Sequence, residues 1–136
     1  AATRSRGGSR QSRYTTYDLS DALLAGNLAQ SVKIYQYLIA AGEPDSLILW
    51  TLSKEMRLLM QLFEQPHNAL QLGIWKTKVS QYQQALRRLN AQQFLTWPNL
   101  VLRIDAAIKG MSKENSEHLM LQAVAELCGK SLFQTH

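Results

Sequence analysis

The chain has 136 residues, of which 46% are hydrophobic and 18% are charged, so it is long enough to bury one core and is expected to form one domain. Its 15 basic and 10 acidic residues give a formal net charge of +5, which alone suggests a nucleic-acid-binding protein. The single cysteine excludes an intrachain disulfide framework and fits a reducing compartment. No apolar run approaches the roughly 20 residues of a membrane helix, so we expect no membrane span and no membrane partner.

The charges are unevenly distributed along the chain. Residues 1–13 hold four arginines, no acid and no large apolar side chain, which predicts a mobile basic linker or an expression remnant ahead of an ordered domain at 14–136. Residues 14–64 carry a net charge of −3, whereas residues 65–104 contain five basic residues and no acid. This basic stretch is either an ordinary solvated face or a patch for an acidic partner surface or a phosphate backbone.

Apolar residues at steps of three and four predict helices throughout the first half of the ordered part. A short first helix, about Asp18 to Ala25, is expected to end at Gly26. Asn27 then caps a second helix, which ends at Gly42. The third helix, about Pro44 to Glu64, is apolar almost all round, which predicts a central position in a bundle.

The second half is also predicted to be helical. A loose turn over residues 68–73 precedes a helix from about Lys76 to Leu89, and the next segment runs from Ala91 to Lys109. Pro98 lies inside that segment, so either its helix kinks there or a new helix starts near the proline. A last helix is expected to start at Ser112 or Asn115 and to end at Gly129. The fold class is therefore all-α, a single bundle of six or seven helices without strands.

No motif in the sequence indicates a catalytic, metal or cofactor site. Gly129-Lys130-Ser131 matches the end of a phosphate-binding loop, but Val124 stands where the loop needs its first glycine, so the triplet is interpreted as a helix cap. The three histidines, His67, His118 and His136, are scattered along the sequence and are expected on the surface or in loops. The lone Cys128 is expected to be a small buried hydrophobic residue. We expect no cofactor and no catalytic site.

A few polar and aromatic residues stand out by their position. Asp18 and Asp21 lie at a helix start, where capping explains them better than metal binding. Glu55 and Arg57 lie inside the apolar third helix and point to different faces, so one of them is either part of a buried network or simply exposed. Most aromatic residues fall in apolar stripes and are expected in the core. Trp75, in a loop, is either a contact residue or a plug between helices.

Three stretches resemble one family when taken in order. They are Ser12-Arg13-Tyr14-Thr15-Thr16-Tyr17-Asp18-Leu19 with Asp21-Ala22-Leu23-Leu24-Ala25-Gly26; Gly42-Glu43-Pro44 with Leu49, Trp50, Leu52, Glu55 and Arg57; and Trp75, Lys78, Ala85, Leu86, Leu89, Asp105, Lys109, Gly110 and Cys128. Over about residues 12–133 the sequence is similar to the C-terminal domain of the bacterial DNA polymerase III delta subunit.

The resemblance implies a non-enzymatic collar domain of the bacterial clamp loader, which loads the sliding clamp on primed DNA in the cytoplasm, at the replisome. Its expected partners are the delta-prime and gamma/tau subunits. The sliding clamp would be contacted only through an N-terminal domain of delta that this sequence lacks. Some members of the family carry an aromatic residue at the turn before the last helix, but here the turn is Gly110-Met111-Ser112-Lys113, so DNA contact there would fall to Lys109 and Lys113.

Two other functions remain open from the sequence. A small basic helical nucleic-acid-binding module would bind DNA in a strongly salt-dependent way through its ordered part. A helical enzyme would need a pocket of convergent polar residues. The residues expected to contact a partner or a phosphate are Trp75, Lys76, Lys78, Arg87, Arg88, Lys109 and Lys113.

Overall fold

The structure, a computed structural model, describes residues 13–130. Six α-helices follow one another in this range: α1 (Thr16–Ala25), α2 (Leu28–Ala40), α3 (Asp45–Glu64), α4 (Val79–Leu86), α5 (Ala91–Ile108) and α6 (Ser116–Leu127), with a 3-10 turn at Lys76–Lys78. Residues 13–130 contain no strand, which confirms the all-α prediction. The predictions for the tail before residue 13, for Ser131 and for His136 lie outside the described residues.

The ends of α1, α2 and α6 follow the local capping rules. Thr15 and Asp18 form a reciprocal capping box at the start of α1, which confirms the capping role of Asp18. The side chain of Asn27 caps α2, and Asn115, one of the two candidates, caps α6. After α6, Gly129 has a φ of 80° and the next amide donates to the carbonyl of Ala125. The interpretation of Gly129-Lys130-Ser131 as a helix cap is therefore confirmed for its described residues.

Helix α5 continues through its proline. Pro98 lies inside the helix, so the alternative of a new helix starting there is wrong. Phe94, Trp97 and Leu100, on both sides of the proline, are buried in the core, and this packing offsets the backbone hydrogen bond that the proline cannot make. A capping box between Asn90 and Gln93 fixes the start of the helix.

Helix α3 is the centre of the bundle, as predicted. It packs against α1, α4, α5 and α6, while α2 packs on α1 and α6. The buried face of α3 is narrower than its apolar surface, because Trp50 is 57% exposed and Phe63 is 44% exposed. The expectation that most aromatic residues are core is wrong for Trp50, whereas Trp97 is buried. Trp75 is 75% exposed, so it does not act as a plug between helices.

The half-buried Arg88 joins the C-terminal ends of two helices. Its Nη2 donates to the carbonyl oxygens of Leu24 at 2.8 Å and Leu23 at 3.4 Å, and its Nε donates to the carbonyl of Cys128 at 3.3 Å. These carbonyls lie at the C-terminal ends of α1 and α6, where the helix dipole favours a cation. The guanidinium leaves no room for a side chain at Gly26, whose Cβ would lie 2.6 Å from Arg88 Nε.

Replacing Arg88 should destabilise the fold. Arg88→Met keeps the apolar stem but removes the charged donors, so we expect the free energy of unfolding to fall by about 2 kcal/mol. Urea denaturation followed by circular dichroism measures it. The neighbouring Arg87 is exposed, so Arg87→Met is the matched control and should change the same quantity by less than about 0.5 kcal/mol. Equal effects of the two substitutions would contradict the structural role of Arg88.

Candidate functional site

An apolar groove runs between α3 and α5 on the outside of the bundle. It has a volume of about 560 Å³ and is lined by Ser53, Met56, Arg57, Met60, Gln61, Glu64, Trp97, Pro98, Val101 and Leu102. Met56 and Trp97 form a buried floor, whereas Leu102 is 67% exposed. Phe63 and Leu95, on the same two helices, are also exposed. An open groove lined by apolar side chains is typical of a protein–protein contact surface.

The charged residues of this groove lie on the α3 side. Arg57 and Glu64 are both exposed and line the groove with Gln61 between them. Neither residue has an ion-pair partner within 4.0 Å among residues 13–130. The α5 side contributes Pro98 and Leu102 and no charge. The groove therefore offers an apolar centre with one charged edge.

A second candidate surface is the cleft beside Trp75, with a volume of about 320 Å³. Two exposed rings line it, Tyr17 at 77% and Trp75 at 75% exposure. Three cationic side chains also line it: Lys54, Arg57 and Lys78. Exposed aromatic rings next to cations are the elements with which proteins bind single-stranded nucleic acids, through base stacking and phosphate contacts.

A buried carboxylate forms the floor of the Trp75 cleft. Glu55 is 1% exposed and accepts hydrogen bonds from Ser20 Oγ at 2.8 Å and from the hydroxyl of Tyr82. Lys54 Nζ lies 3.8 Å from the same carboxylate. The network joins α1, α3 and α4, so Glu55 is the buried network member and Arg57 is the exposed one. Burial, together with the hydrogen bond to Glu55, raises the pKa of Tyr82.

Much of the positive charge of residues 65–104 is engaged within the fold. Lys78 Nζ pairs with Asp21 Oδ1 at 2.5 Å, although both side chains remain partly exposed. Arg103 forms a bidentate pair with Glu114, and Arg88 holds backbone carbonyls. Asp21 therefore pairs with a lysine from another segment, and the expectation that it caps α1 is wrong, because Asp18 is the acid in the first turn of that helix. The basic stretch of the sequence is not a continuous patch of free cations.

The other predicted contact residues lie on separate parts of the surface. Lys76 lines a cavity with Leu70 and Val79, and Arg87 is exposed beyond the end of α4. Lys109 pairs with Asp105 at 3.0 Å, and Lys113 is exposed in the loop before α6. Of the seven residues selected from the sequence, the structure brings only Trp75 and Lys78 into one cleft.

Comparison with known families decides what the domain is. A family model described as "DNA polymerase III delta subunit, C-terminal domain" matches residues 14–124. The chain belongs to this family. A delta C-terminal domain is a structural part of the clamp loader. A comparison with curated proteins found no match.

The described cysteine and histidines of this delta C-terminal domain lie in the core and on the surface, respectively. Cys128 is fully buried with its sulfur 3.5 Å from Ser31 Oγ, and burial raises the pKa of its thiol. His67 and His118 are exposed, as predicted. Within residues 13–130, no three metal-ligating side chains come close enough to hold an ion, and no helix is long and apolar enough to span a membrane.

Sequence reasoning missed several residues of both surfaces. Tyr17 and Lys54 come from other segments than Trp75, so only the tertiary fold brings them to the cleft. In the sequence, Met60 belongs to the apolar surface of α3, and nothing marks Leu102 as a contact residue. Both line the groove. One signal in the sequence was available: the apolar surface of α3 is wider than burial in a small bundle requires.

The Tyr82–Glu55 hydrogen bond of the delta C-terminal domain predicts a pH-dependent stability. Tyr82→Phe removes a donor to a buried carboxylate, so we expect the free energy of unfolding to fall by about 2 kcal/mol at pH 8. Above about pH 10 the tyrosine of the unfolded chain ionises, whereas folded Tyr82 keeps its proton because its pKa is raised. The stability that Tyr82 contributes is therefore present below pH 10 and lost as the pH rises further.

The difference between wild type and Tyr82→Phe should accordingly shrink by about 1 kcal/mol between pH 8 and pH 11. Urea denaturation at the two pH values measures both differences. Tyr17→Phe, at the exposed ring, is the matched control and should cost less than about 0.5 kcal/mol at pH 8. A difference for Tyr82→Phe that stays constant or grows at high pH would contradict this account.

Proposed function

We propose that this domain is the oligomerisation domain of delta, and that it joins delta to the delta-prime and gamma/tau subunits of the clamp loader in the bacterial cytoplasm. The observation that carries the proposal is the α3–α5 groove, where Leu102 and its neighbours expose apolar side chains on a folded domain. Removing exposed apolar area of this kind from water lowers the free energy, which favours the binding of a partner.

The chemistry of the groove fits this role. Its centre consists of methionine, tryptophan, valine and leucine, and its charges stand at the edge. Interfaces between proteins share this arrangement, with aromatic residues and methionine in the middle and polar groups around them. Methionine side chains also adapt to different partners, which suits a domain that contacts more than one subunit.

Substitution in the groove should weaken assembly. Leu102→Asp places a charge where a partner would bury an apolar side chain, so we expect the dissociation constant for the delta-prime and gamma collar domains of the same organism to rise at least about tenfold. Size-exclusion chromatography and calorimetric titration measure it. Leu70 is 64% exposed outside the groove, so Leu70→Asp is the matched control and should leave binding unchanged.

The outcomes separate the alternatives. Failure of the wild-type chain to co-elute with any of these domains would refute the assembly function. Co-elution of wild type with an equal loss for Leu102→Asp and Leu70→Asp would mean that the substitutions act nonspecifically, and the groove would lose its support as the contact surface.

A second candidate function rests on the Trp75 cleft. Its two exposed rings and its cationic edge favour contact with single-stranded DNA, as an addition to assembly. The pairing of Lys78 with Asp21 reduces the free charge at this site, so stacking on Trp75 and Tyr17 would contribute more than phosphate contacts. Binding is accordingly expected to be weak in the isolated chain and stronger in the assembled clamp loader.

Trp75→Ala should weaken that binding. Loss of one stacked base corresponds to a dissociation constant about tenfold higher, measured by fluorescence anisotropy with a labelled thymidine oligonucleotide at several salt concentrations. Leu95, on α5 and outside the cleft, is similarly exposed, so Leu95→Ala is the control and should bind as wild type. All variants are compared with and without residues 1–13, because four arginines there bind phosphates without sequence preference. Equal binding by Trp75→Ala and wild type would exclude the cleft.

A further inference from the structure

The charged edge of the α3–α5 groove has a self-complementary pattern. Arg57 and Glu64 are seven residues apart on α3 and both line the groove. Seven residues are almost two full turns, so the two side chains lie on the same face of the helix, about 10 Å apart along its axis. This separation is too large for them to pair with each other. Both are exposed, and the salt bridges of residues 13–130 leave both without an ion-pair partner.

A second copy of the chain fits this pattern. In a two-fold symmetric contact, if residue i of the first copy contacts residue j of the second, then residue j of the first copy contacts residue i of the second. If two α3 helices cross antiparallel at the midpoint between Arg57 and Glu64, the arginine of each copy faces the glutamate of the other. The midpoint falls between Met60 and Gln61, which both line the groove. The same symmetry therefore forms two ion pairs and places methionine and glutamine on the axis.

We propose that the chain forms an isologous dimer through this groove, with the α3 helices of the two copies antiparallel and Arg57 of each copy paired with Glu64 of the other. The dimer covers Met60, Leu102 and the groove floor. The unpaired charges set the direction of the two helices, because a parallel arrangement would put like charges opposite each other.

The dimer concerns the chain alone and does not depend on the proposed assembly function. If delta-prime or gamma binds the same groove, that binding and dimerisation exclude each other, so a single face serves both contacts. The dimer then keeps the apolar groove out of water while no other subunit is bound.

Charge exchange at the two positions tests the proposal. Sedimentation velocity of the whole chain from about 1 μM to about 1 mM should show a monomer–dimer equilibrium for wild type. Arg57→Glu places two carboxylates opposite each other at both pairs, and Glu64→Arg does the same with two cations. Each single variant should therefore dimerise at least about tenfold more weakly than wild type.

An equimolar mixture of R57E and E64R should recover dimerisation, because the carboxylate introduced at position 57 of one chain faces the guanidinium introduced at position 64 of the other. The double variant R57E/E64R restores opposite charges at both pairs and should dimerise like wild type. Lys33 and Glu43 are exposed away from the groove, so Lys33→Glu and Glu43→Arg are the matched controls and should leave the equilibrium unchanged. Circular dichroism verifies that each variant is folded.

Three results would overturn the dimer: a wild-type chain that stays monomeric over the whole range, single variants that dimerise as well as wild type, or a mixture that stays as weak as its components. The first result combined with co-elution of wild type with delta-prime would refute the dimer alone and leave the proposed assembly function intact.

Discussion

The burial of α3 is the constraint on which the rest of the structure depends. This helix packs against four of the other five, so its apolar residues supply the contact surface that holds α1, α4, α5 and α6 in one core. Its neighbours do not cover this helix of 20 residues on every side, because Arg57, Gln61 and Glu64 remain exposed. The strip from Arg57 to Glu64 lines the groove, so the same helix that organises the core also forms one side of the surface to which we propose that a partner binds.

Two polar groups fix how the shorter helices attach to this centre. Glu55 projects from α3 and receives hydroxyl donors from α1 and α4, while Arg88 holds the carbonyl ends of α1 and α6. Hydrogen bonds to a charged group have a defined geometry, whereas apolar packing tolerates small displacements. These contacts therefore set the position of α1, and with it the position of Tyr17 in the Trp75 cleft.

The sequence predicted the features that depend on local chemistry. The caps at Asn27 and Gly26 and the central position of α3 follow from residue type and periodicity, and the structure confirms them. The continuity of α5 through Pro98 could not be predicted, because it depends on the burial of residues on both sides of the proline. Exposure of Trp50 was missed for a similar reason, since hydropathy does not tell which side of an apolar helix its neighbours leave uncovered.

The candidate surfaces were harder to predict because each combines residues from distant segments. A linear count gives five cations and no acid in residues 65–104, which favours a phosphate-binding patch. In the fold, Asp21 and Glu114 come from outside that stretch to pair with Lys78 and Arg103. Charge that is paired within the domain contributes little to long-range attraction of a partner. Recognition of the proposed partners would then rest on apolar contact and on the few charges left free at these surfaces, and Arg57 and Glu64 are such charges at the edge of an apolar groove.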